Sequence, residues 1–248
     1  MAFQLVPIID RMLALYQLPR GQARFEAYLE MLQGPSKKDI ILPIGAYNPM
    51  GKEMVADKLR ELKALGAEEV MKGVLEEVNE RVGEEQEWKV VLNLADDVGG
   101  AWSNYFTTDF SSKFDINALV KRRFCTPYFW TSETYSTELI LQRTKAYLYR
   151  NLYWVKNGKP QSLEDHCTQE IYVQQQLNVE TLDDAPAHWA KIEAFYTKHK
   201  TSEDYSVIFN FFYGDEASRV LEFKEHGASL NSGWEYAQYR ASQIRFRT

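Results

Sequence analysis

The sequence predicts a helix-rich α/β or α+β protein of 248 residues. Two largely apolar runs with β-branched residues, at 39–46 and 87–95, have the length and composition of buried strands. The segment between them repeats apolar residues every three or four positions, which is the spacing of amphipathic helices. A third apolar run, at 204–213, is the last predicted strand. We therefore expect a small sheet of these strands flanked by amphipathic helices.

The predicted helices share regular apolar spacing and boundaries at glycine or proline. They lie at 3–17, 22–33, 52–65, 67–82, 134–156, 162–177 and 186–199. The chain contains no repeat and no low-complexity segment, so we expect residues 1–248 to form a single domain. The turn-like sequence Asn157-Gly158-Lys159-Pro160 could mark a minor subdivision, or could merely separate two helices.

Charge and composition exclude two broad classes of protein. The formal net charge is −6, so a general nucleic-acid binder is not expected, because phosphate would be repelled on average. No uncharged apolar stretch is long enough to span a membrane, and Asp10-Arg11 interrupts the N-terminal apolar run, unlike a secretion signal. Cys125 and Cys167 form no CxxC pair and fit a reducing compartment. We therefore expect a cytoplasmic protein.

The stretch IILPIGAYNPMGKE, residues 40–53, has the general layout of a phosphate-binding loop. An apolar run enters it, and Gly51-Lys52 opens the next helical pattern. However, Gly45 and Gly51 are separated by one residue more than a Walker loop allows, and Glu53 stands where that loop has Ser or Thr. A carboxylate cannot supply the hydroxyl that binds Mg²⁺. The sequence therefore argues against a Walker-type nucleotide site.

Asn48, Gly51 and Lys52 remain candidate ligand-binding residues in this stretch. Asn48 is expected to cap the helix that follows, with Pro49 in its first turn. Lys52 would then lie at the positive end of the helix dipole, which disfavours a cation by about a few tenths of a kcal/mol. A solvated lysine tolerates that cost, but the helix start and Lys52 could instead hold an anionic ligand together.

Asp96 and Asp97 are the candidate catalytic residues, because they follow the predicted strand 87–95 directly. If this strand pairs in parallel with 39–46, the loops 45–52 and 95–101 meet at one edge of the sheet, where ligands bind in open α/β proteins. Adjacent carboxylates could hold a divalent metal, or one could act as a general base. The alternative is that one aspartate caps a turn and the other faces water.

Aromatic residues are concentrated between Trp102 and Trp154, where hydroxyl and amide side chains interleave with the rings. Trp102, Tyr128 and Trp130 are candidate ligand-binding residues in this region, and hydroxyl and aromatic residues from 126–135 would complete the pocket wall. The same composition also suits loops that are packed by their own side chains.

A helix face at 162–177 supplies a weaker candidate site. Glu170 falls inside the apolar stripe of this helix, and His166 lies at the edge of the stripe one turn before it. The two side chains could share a divalent metal, although the spacing His-x-x-x-Glu occurs once and a structural hydrogen bond is the alternative. In either case Glu170 should be buried and paired, because an unpaired buried carboxylate is costly.

These observations lead to two functional hypotheses. The first is a small-molecule-binding protein with a pocket for a polar or anionic ligand at the carboxyl ends of its strands, which could be an enzyme with an aspartate base or a bound divalent metal. The second is a non-catalytic protein–protein interaction domain in which the polar clusters are structural. No motif in the chain indicates a reaction class, a particular cofactor or an oligomeric state.

Overall fold

The structure is a computed structural model that describes residues 2–34, 39–45, 48–82, 86–98, 103–177, 185–186 and 188–245. The chain forms two compact units. Unit 1 comprises Met1–Ser112 and Ile116–Leu148, and unit 2 comprises Lys113–Asp115 and Tyr149–Thr248. That the whole chain behaves as a single domain, with a subdivision near 157–160, stays a prediction.

Helices dominate the described residues, and the predicted helix-rich α/β or α+β class is confirmed. The helices are α1 (Ile9–Gln17), α2 (Gln22–Gln33), α3 (Met54–Ala64), α4 (Ala67–Val82), α5 (Tyr105–Phe114), α6 (Asn117–Lys121), α7 (Thr137–Asn157), α8 (Leu163–Gln176), α9 (Trp189–His199), α10 (Tyr205–Val220) and α11 (Ser232–Arg245). The strands are β1 (Ala2–Leu5), β2 (Glu87–Val90), β3 (Asn93–Ala95), β4 (Phe124–Cys125) and β5 (Tyr128–Trp130).

The strands form two small parallel sheets in unit 1. One has the order β1-β2-β4, and the other pairs β3 with β5. β1 occupies the start of the segment 3–17, which was predicted to be helical throughout, and its Phe3 backbone exchanges hydrogen bonds with the Asn79 side chain of α4. The chain then turns into α1, which begins only at Ile9.

The predicted strand 87–95 is present, but it is divided into β2 and β3. The backbone N–H groups of Val91 and Asn93 still donate to the carbonyls of Cys125 and Pro127, so one side of the ladder continues across the division. Pro127 has no N–H, and a parallel ladder needs a return bond at that position. The interruption between the two sheets therefore follows from a single proline.

The predicted strand at 39–46 is wrong for its described part, residues 39–45. Ile41 and Leu42 donate their N–H groups to the carbonyl of Leu32 at the end of α2, and Pro43 has no N–H to offer a sheet. Leu42 and Ile44 are nevertheless buried. The apolar run therefore packs as an irregular segment against the core.

The predicted strand at 204–213 is also wrong, because this run begins α10. Asp204 caps the helix by accepting a hydrogen bond from the Ser206 N–H at 2.8 Å. Rings spaced four residues apart then stack along the helix, with Tyr205 and Phe209 at 5.9 Å and Phe209 and Tyr213 at 4.9 Å between centroids. A buried helix and a buried strand have similar continuous apolar composition, and the periodicity does not separate them here.

A buried ion pair in unit 2 joins Arg150 of α7 to Glu170 of α8. Glu170 of α8 is 0% exposed, and both of its carboxylate oxygens accept hydrogen bonds of 2.7 Å from the Arg150 guanidinium. Gln169 donates to Glu170 Oε1 and accepts from the Trp154 indole N–H. The prediction that Glu170 is buried and paired is confirmed, and so is the predicted face of this helix.

Glu170→Ala should lower the free energy of unfolding by about 3–5 kcal/mol, because it leaves the Arg150 cation buried without its carboxylate. Chemical denaturation monitored by tryptophan fluorescence would measure the change. Glu225→Ala, which removes the partner of the exposed Arg219, is the matched control and should change stability little. Equal effects of the two substitutions would show that the buried pair is not a main determinant of stability.

Gly214 interrupts α10 with a φ of 80° and a ψ of 175°, a conformation that is essentially restricted to glycine. A Cβ atom there would lie 2.7 Å from the backbone nitrogen of Leu230. Gly214→Ala should therefore destabilise the protein by about 2–4 kcal/mol. Gly73→Ala, on an open face of α4, should instead stabilise it by about 0.5–1 kcal/mol. Thermal unfolding of the two variants would compare these opposite signs.

Candidate functional site

The carboxyl ends of β3 and β5, which pair in parallel in unit 1, carry a group of carboxylate and hydroxyl side chains. Asp96 and Asp97 come directly after β3, and Thr131 and Ser132 come directly after β5. The Thr131 N–H donates to the Ala95 carbonyl at 3.0 Å, which extends the parallel pairing up to these residues. Two carboxylates and two hydroxyls therefore meet at one edge of the sheet.

Asp97 accepts hydrogen bonds from both residues that follow β5. Its Oδ1 accepts from the Ser132 N–H at 3.0 Å and from the Thr131 hydroxyl at 3.1 Å, and its Oδ2 accepts from the Ser132 hydroxyl at 2.6 Å. The Asp97 N–H in turn donates to Thr131 Oγ1 at 3.2 Å. The Asp97 side chain therefore has a defined orientation, and the residue remains partly exposed.

Asp96 is more deeply placed, at 5% exposure, and it meets Lys52. The Lys52 Nζ lies 3.2 Å from Asp96 Oδ2 and donates to the Val98 carbonyl at 2.6 Å. Asp96 Oδ1 accepts from the Val98 N–H at 3.3 Å and lies 3.1 Å from the Thr131 hydroxyl. That hydroxyl has one hydrogen, which it can give to only one of the two aspartates at a time.

The Lys52–Asp96 contact confirms that the loops 45–52 and 95–101 converge within side-chain reach, as far as their described residues extend. The predicted cause of the convergence is wrong, because residues 39–45 form no strand that could pair with 87–95. The Gly45 N–H instead donates to the Asn93 side chain at 3.3 Å. A loop therefore reaches the sheet edge where a strand was expected.

The turn that carries Lys52 is closed by Asn48. The Asn48 side chain accepts from the Met50 N–H at 2.9 Å, and its carbonyl accepts from the Gly51 N–H at 2.9 Å. Helix α3 begins only at Met54, so Asn48 does not cap it, and Lys52 lies before the helix. The predicted role of the helix dipole is therefore wrong, and the contact with Asp96 explains the position of Lys52.

A buried arginine forms hydrogen bonds with residues on both sides of this turn. Arg24 of α2 is 3% exposed, and its Nη1 donates to the Pro49 carbonyl at 3.3 Å and to Glu53 Oε1 at 2.8 Å. Its Nη2 also donates to the carbonyls of Tyr16 and Leu18. The Arg24 guanidinium therefore fixes the two residues that flank the segment from Met50 to Lys52.

The turn after β5 is fixed by a second arginine. Arg143 makes two hydrogen bonds to the Glu133 carboxylate, at 2.6 and 2.7 Å, and Glu133 Oε2 accepts from the Trp130 N–H at 3.0 Å. Arg143 also donates to the Tyr128 carbonyl at 3.1 Å. Both hydroxyl residues at the site, Thr131 and Ser132, therefore lie in a braced turn.

The predicted aromatic residues have mainly structural surroundings. Trp130 is 1% exposed and packs against Tyr105 at 4.7 Å between ring centroids. Tyr128 is half-buried, and burial raises the pKa of its hydroxyl. Trp102 lies outside the described residues. Within the described chain, the aromatic rings therefore support the sheet edge more than they line its surface.

His166 and Glu170 lie on one face of α8 in unit 2, as predicted. However, the Glu170 oxygens accept from Arg150 and Gln169, and His166 Nδ1 lies 2.8 Å from the Ser162 carbonyl. A cationic guanidinium occupies the place where a metal ion would be needed. Among the residues that the structure describes, no group of three or more His, Cys, Asp or Glu side chains could hold a metal ion.

Two shallow depressions occur elsewhere in the described chain. The one in unit 2 has a volume of about 300 Å³ and includes Lys159, Gln161, Asp165 and Glu203. The one in unit 1 has a volume of about 130 Å³ and is lined by residues of α1, α3 and α4. Neither is lined by Lys52, Asp96, Asp97, Thr131 or Ser132.

Two residues at the site gave no signal in the sequence. Arg24 and Tyr16 belong to helices that precede the site segments, and only the fold brings them near Lys52. Thr131 and Ser132 fall inside the predicted pocket wall at 126–135, without having been distinguished from their neighbours. Their position directly after a strand is the signal that could have distinguished them.

Acid should destabilise the protein through His166, because burial lowers the pKa of this side chain below its ordinary value of 6.5. The unfolded chain then binds more protons than the folded chain, so stability is complete above pH 6.5 and is lost as the pH falls toward the folded pKa. His199 and His226 have lowered pKa values as well, through burial and nearby lysines.

His166→Asn should remove the contribution of His166 to the pH dependence of stability, because asparagine does not titrate. The slope of unfolding free energy against pH, just below pH 6.5, should therefore decrease by up to about 1.4 kcal/mol per pH unit. Urea titrations from pH 5 to pH 7.5 would measure both slopes, and His188→Asn is a control at a histidine outside this set. An unchanged slope in His166→Asn would contradict the assignment.

Comparison with protein-family models, with curated proteins and with solved structures finds no match for this chain. None of the described helices combines the length and the apolar character that crossing a membrane requires. The candidate site therefore depends on its own geometry: Lys52, Asp96, Asp97, Thr131 and Ser132 meet where two parallel strands end.

Proposed function

We propose that unit 1 binds a small molecule with hydroxyl or amine groups at the polar cluster, which is Lys52, Asp96, Asp97, Thr131 and Ser132. The observation that supports this function is the Lys52–Asp96 contact of 3.2 Å, beside the carboxyl ends of the parallel strands β3 and β5. Small ligands bind preferentially at such edges in α/β proteins.

Asp97 is the residue best suited to contact the ligand. An ionised carboxylate offers about four acceptor positions; Ser132 donates two hydrogen bonds to it, and Thr131 donates a third when its hydroxyl turns toward Asp97 rather than Asp96. The residue is partly exposed, whereas Asp96 is buried and committed to Lys52. A ligand hydroxyl or ammonium group could therefore donate to Asp97 while the fixed donors keep its carboxylate in place.

The charges of the polar cluster favour a neutral or cationic ligand over an anionic one. The cluster has one ammonium and two carboxylates, and the ammonium of Lys52 faces Asp96 at 3.2 Å. Nearby Glu53 is paired with Arg20 and Arg24. An anion would therefore meet net negative charge, which is why we now favour amine-bearing or polyhydroxylated ligands over the anionic ligand expected from Lys52 alone.

A divalent metal is less compatible with the polar cluster. The ion would have to compete with the Lys52 ammonium for Asp96, and the fixed donors on Asp97 already use part of its carboxylate. No third metal-binding side chain joins the two aspartates in the described part of the chain. We therefore propose binding without a metal, and Asp97 as the group that could act as a base if the site is catalytic.

The competing function is a non-catalytic protein–protein interaction domain. The observation in its favour is the exposure of large apolar side chains, with Val220 at 64% and Leu230 at 59% in unit 2. Single exposed apolar residues are common in soluble proteins, so they support an interface less specifically than the polar cluster supports a ligand site. We keep the cytoplasm as the proposed compartment, since both cysteines are free and buried.

Asp97→Asn should weaken ligand binding about 10-fold or more, because it removes the negative charge that attracts a ligand ammonium. The same substitution should lower stability by about 1 kcal/mol, since the amide accepts fewer hydrogen bonds than the carboxylate. A thermal-shift screen of amino alcohols, amino sugars, polyols and polyamines would identify the ligand, because saturation at about 100 times Kd stabilises a protein by about 2.7 kcal/mol.

Asp57→Asn is the matched control, because Asp57 lies in the same unit and pairs with the exposed Arg60 on α3. It should bind the ligand as the wild type does. Lys52→Ala is a less informative test, since it leaves the buried Asp96 carboxylate without its cation and combines a loss of stability with any loss of binding. Stabilisation by sugar phosphates or carboxylates alone would contradict the proposed ligand class, and no stabilisation by any compound would favour the interaction domain.

A further inference from the structure

Asp97 is a half-buried carboxylate that forms no ion pair with any residue that the structure describes. The neighbouring carboxylates of unit 1 do have cations. Asp96 lies 3.2 Å from the Lys52 ammonium, and Glu133 accepts two hydrogen bonds from the Arg143 guanidinium. A carboxylate that is partly removed from water is stabilised by a cation or by several donors. Asp97 therefore receives hydrogen bonds from the chain, but no positive charge.

Glu68 is another half-buried carboxylate of unit 1 without an ion pair in the described chain, but its surroundings are different. Its Oε1 accepts hydrogen bonds from the N–H groups of Ile8 and Ile9, at the start of α1. The positive end of the helix dipole therefore compensates its charge. Asp97 follows a strand instead, and its donors are one backbone N–H and two hydroxyls, all of them uncharged.

The hydrogen bonds to Asp97 leave about one acceptor position on each of its oxygens. Ser132 donates its N–H to Oδ1 at 3.0 Å and its hydroxyl to Oδ2 at 2.6 Å. The Thr131 hydroxyl lies 3.1 Å from Asp97 Oδ1 and also 3.1 Å from Asp96 Oδ1, so it can turn to Asp96 and leave Asp97 Oδ1 with a single donor. Each carboxylate oxygen accepts about two hydrogen bonds. Asp97 can therefore accept two further donors, one on each oxygen.

A planar cation with two parallel N–H donors matches this arrangement. Guanidinium and amidinium groups donate to both oxygens of a carboxylate at once, and the chain itself contains this geometry, where Arg143 meets Glu133 at 2.6 and 2.7 Å. A guanidinium is also more weakly hydrated than an ammonium, so it loses less hydration when it enters a half-buried site. The surroundings of Asp97 therefore favour a planar cation over an alkylammonium.

We propose that Asp97 binds the guanidinium or amidinium group of a small molecule through two hydrogen bonds, while the Thr131 hydroxyl turns to Asp96. This inference rests on the proposed function and specifies the cation of its ligand. Ser132 is then a positioning residue, because its two hydrogen bonds fix the carboxylate that the ligand contacts. Lys52 stays with Asp96, so the ligand cation adds the positive charge that the polar cluster lacks.

Benzamidine and benzylamine are suitable probes, because they share a carbon skeleton and each carries one positive charge at neutral pH. Only the amidinium has two donors in one plane. The wild type should bind benzamidine about 10-fold more tightly than benzylamine, which is the effect of one additional hydrogen bond. Asp97→Asn should weaken benzamidine binding about 100-fold and benzylamine binding about 10-fold, because the amide has one acceptor oxygen and no charge. Isothermal titration calorimetry on the full chain would measure the four affinities.

Glu68→Gln is the matched control, because it removes another half-buried carboxylate of the same unit that lacks an ion pair in the described chain. It should change both affinities less than about 2-fold. Thr131→Val tests the turn of the hydroxyl, since it removes that group and keeps the shape of the side chain. Benzamidine affinity should stay within about 3-fold of the wild type, because Thr131 does not donate to Asp97 in the proposed complex. Thermal unfolding would verify that each variant is folded.

Equal affinities of the wild type for the two probes would overturn the inference, and so would a preference for benzamidine that persists in Asp97→Asn. A loss of more than about 10-fold in Thr131→Val would overturn it as well, since Asp97 would then need the hydroxyl while the ligand is bound. If the probes bind equally but depend on Asp97, the proposed function stands and only the preference for a planar cation falls. The same conclusion follows if neither probe binds and an amino alcohol binds in a manner that depends on Asp97.

Discussion

The Asp96 carboxylate is nearly excluded from water at the end of β3, and the surroundings of the polar cluster follow from that constraint. A buried carboxylate requires a cation and hydrogen-bond donors. Lys52 supplies the cation from one loop, Thr131 supplies a hydroxyl from the neighbouring strand end, and the Val98 N–H closes the turn. Three distant segments are therefore held together by one side chain, and the more exposed Asp97 is left to face solvent.

Each unit contains a buried arginine whose guanidinium forms several hydrogen bonds within the chain. In unit 1, Arg24 places its guanidinium against three carbonyls and one carboxylate. In unit 2, Arg150 forms a two-bond pair with Glu170, and Gln169 extends the network to Trp154. Such groups add less stability than apolar residues of the same size, but they impose specific geometry, because any rearrangement would leave a charge unpaired. In unit 1 that geometry is imposed on the turn that carries Lys52.

The sequence was most informative where a charged residue stands at a position that the local pattern defines, such as a helix face or the end of a strand. The helical phase of 162–177 predicted a buried, paired Glu170, and the position of Asp96 and Asp97 after a strand predicted the sheet edge. It was least informative for apolar runs without periodicity, since 204–213 and 39–46 satisfy the composition of a strand. One run became a helix through its cap and its ring spacing, and the other packed as a loop around Pro43. The partners of Arg24 and Tyr16 depend on contacts between distant segments, which local patterns do not encode.

The parallel arrangement of β3 and β5 also determines how much of unit 1 must fold before the polar cluster can form. Parallel neighbours are never joined by a tight turn, so every contact in the cluster closes a long loop of chain. Lys52 lies between β1 and β2, Asp96 follows β3, and Thr131 follows β5, so no fragment that lacks one of these segments retains their mutual contacts. Proteins that depend on non-local contacts of this kind fold more slowly than proteins rich in local contacts. Binding of the proposed ligand would therefore require the completed topology of unit 1, and a truncated or partly folded chain would not bind it.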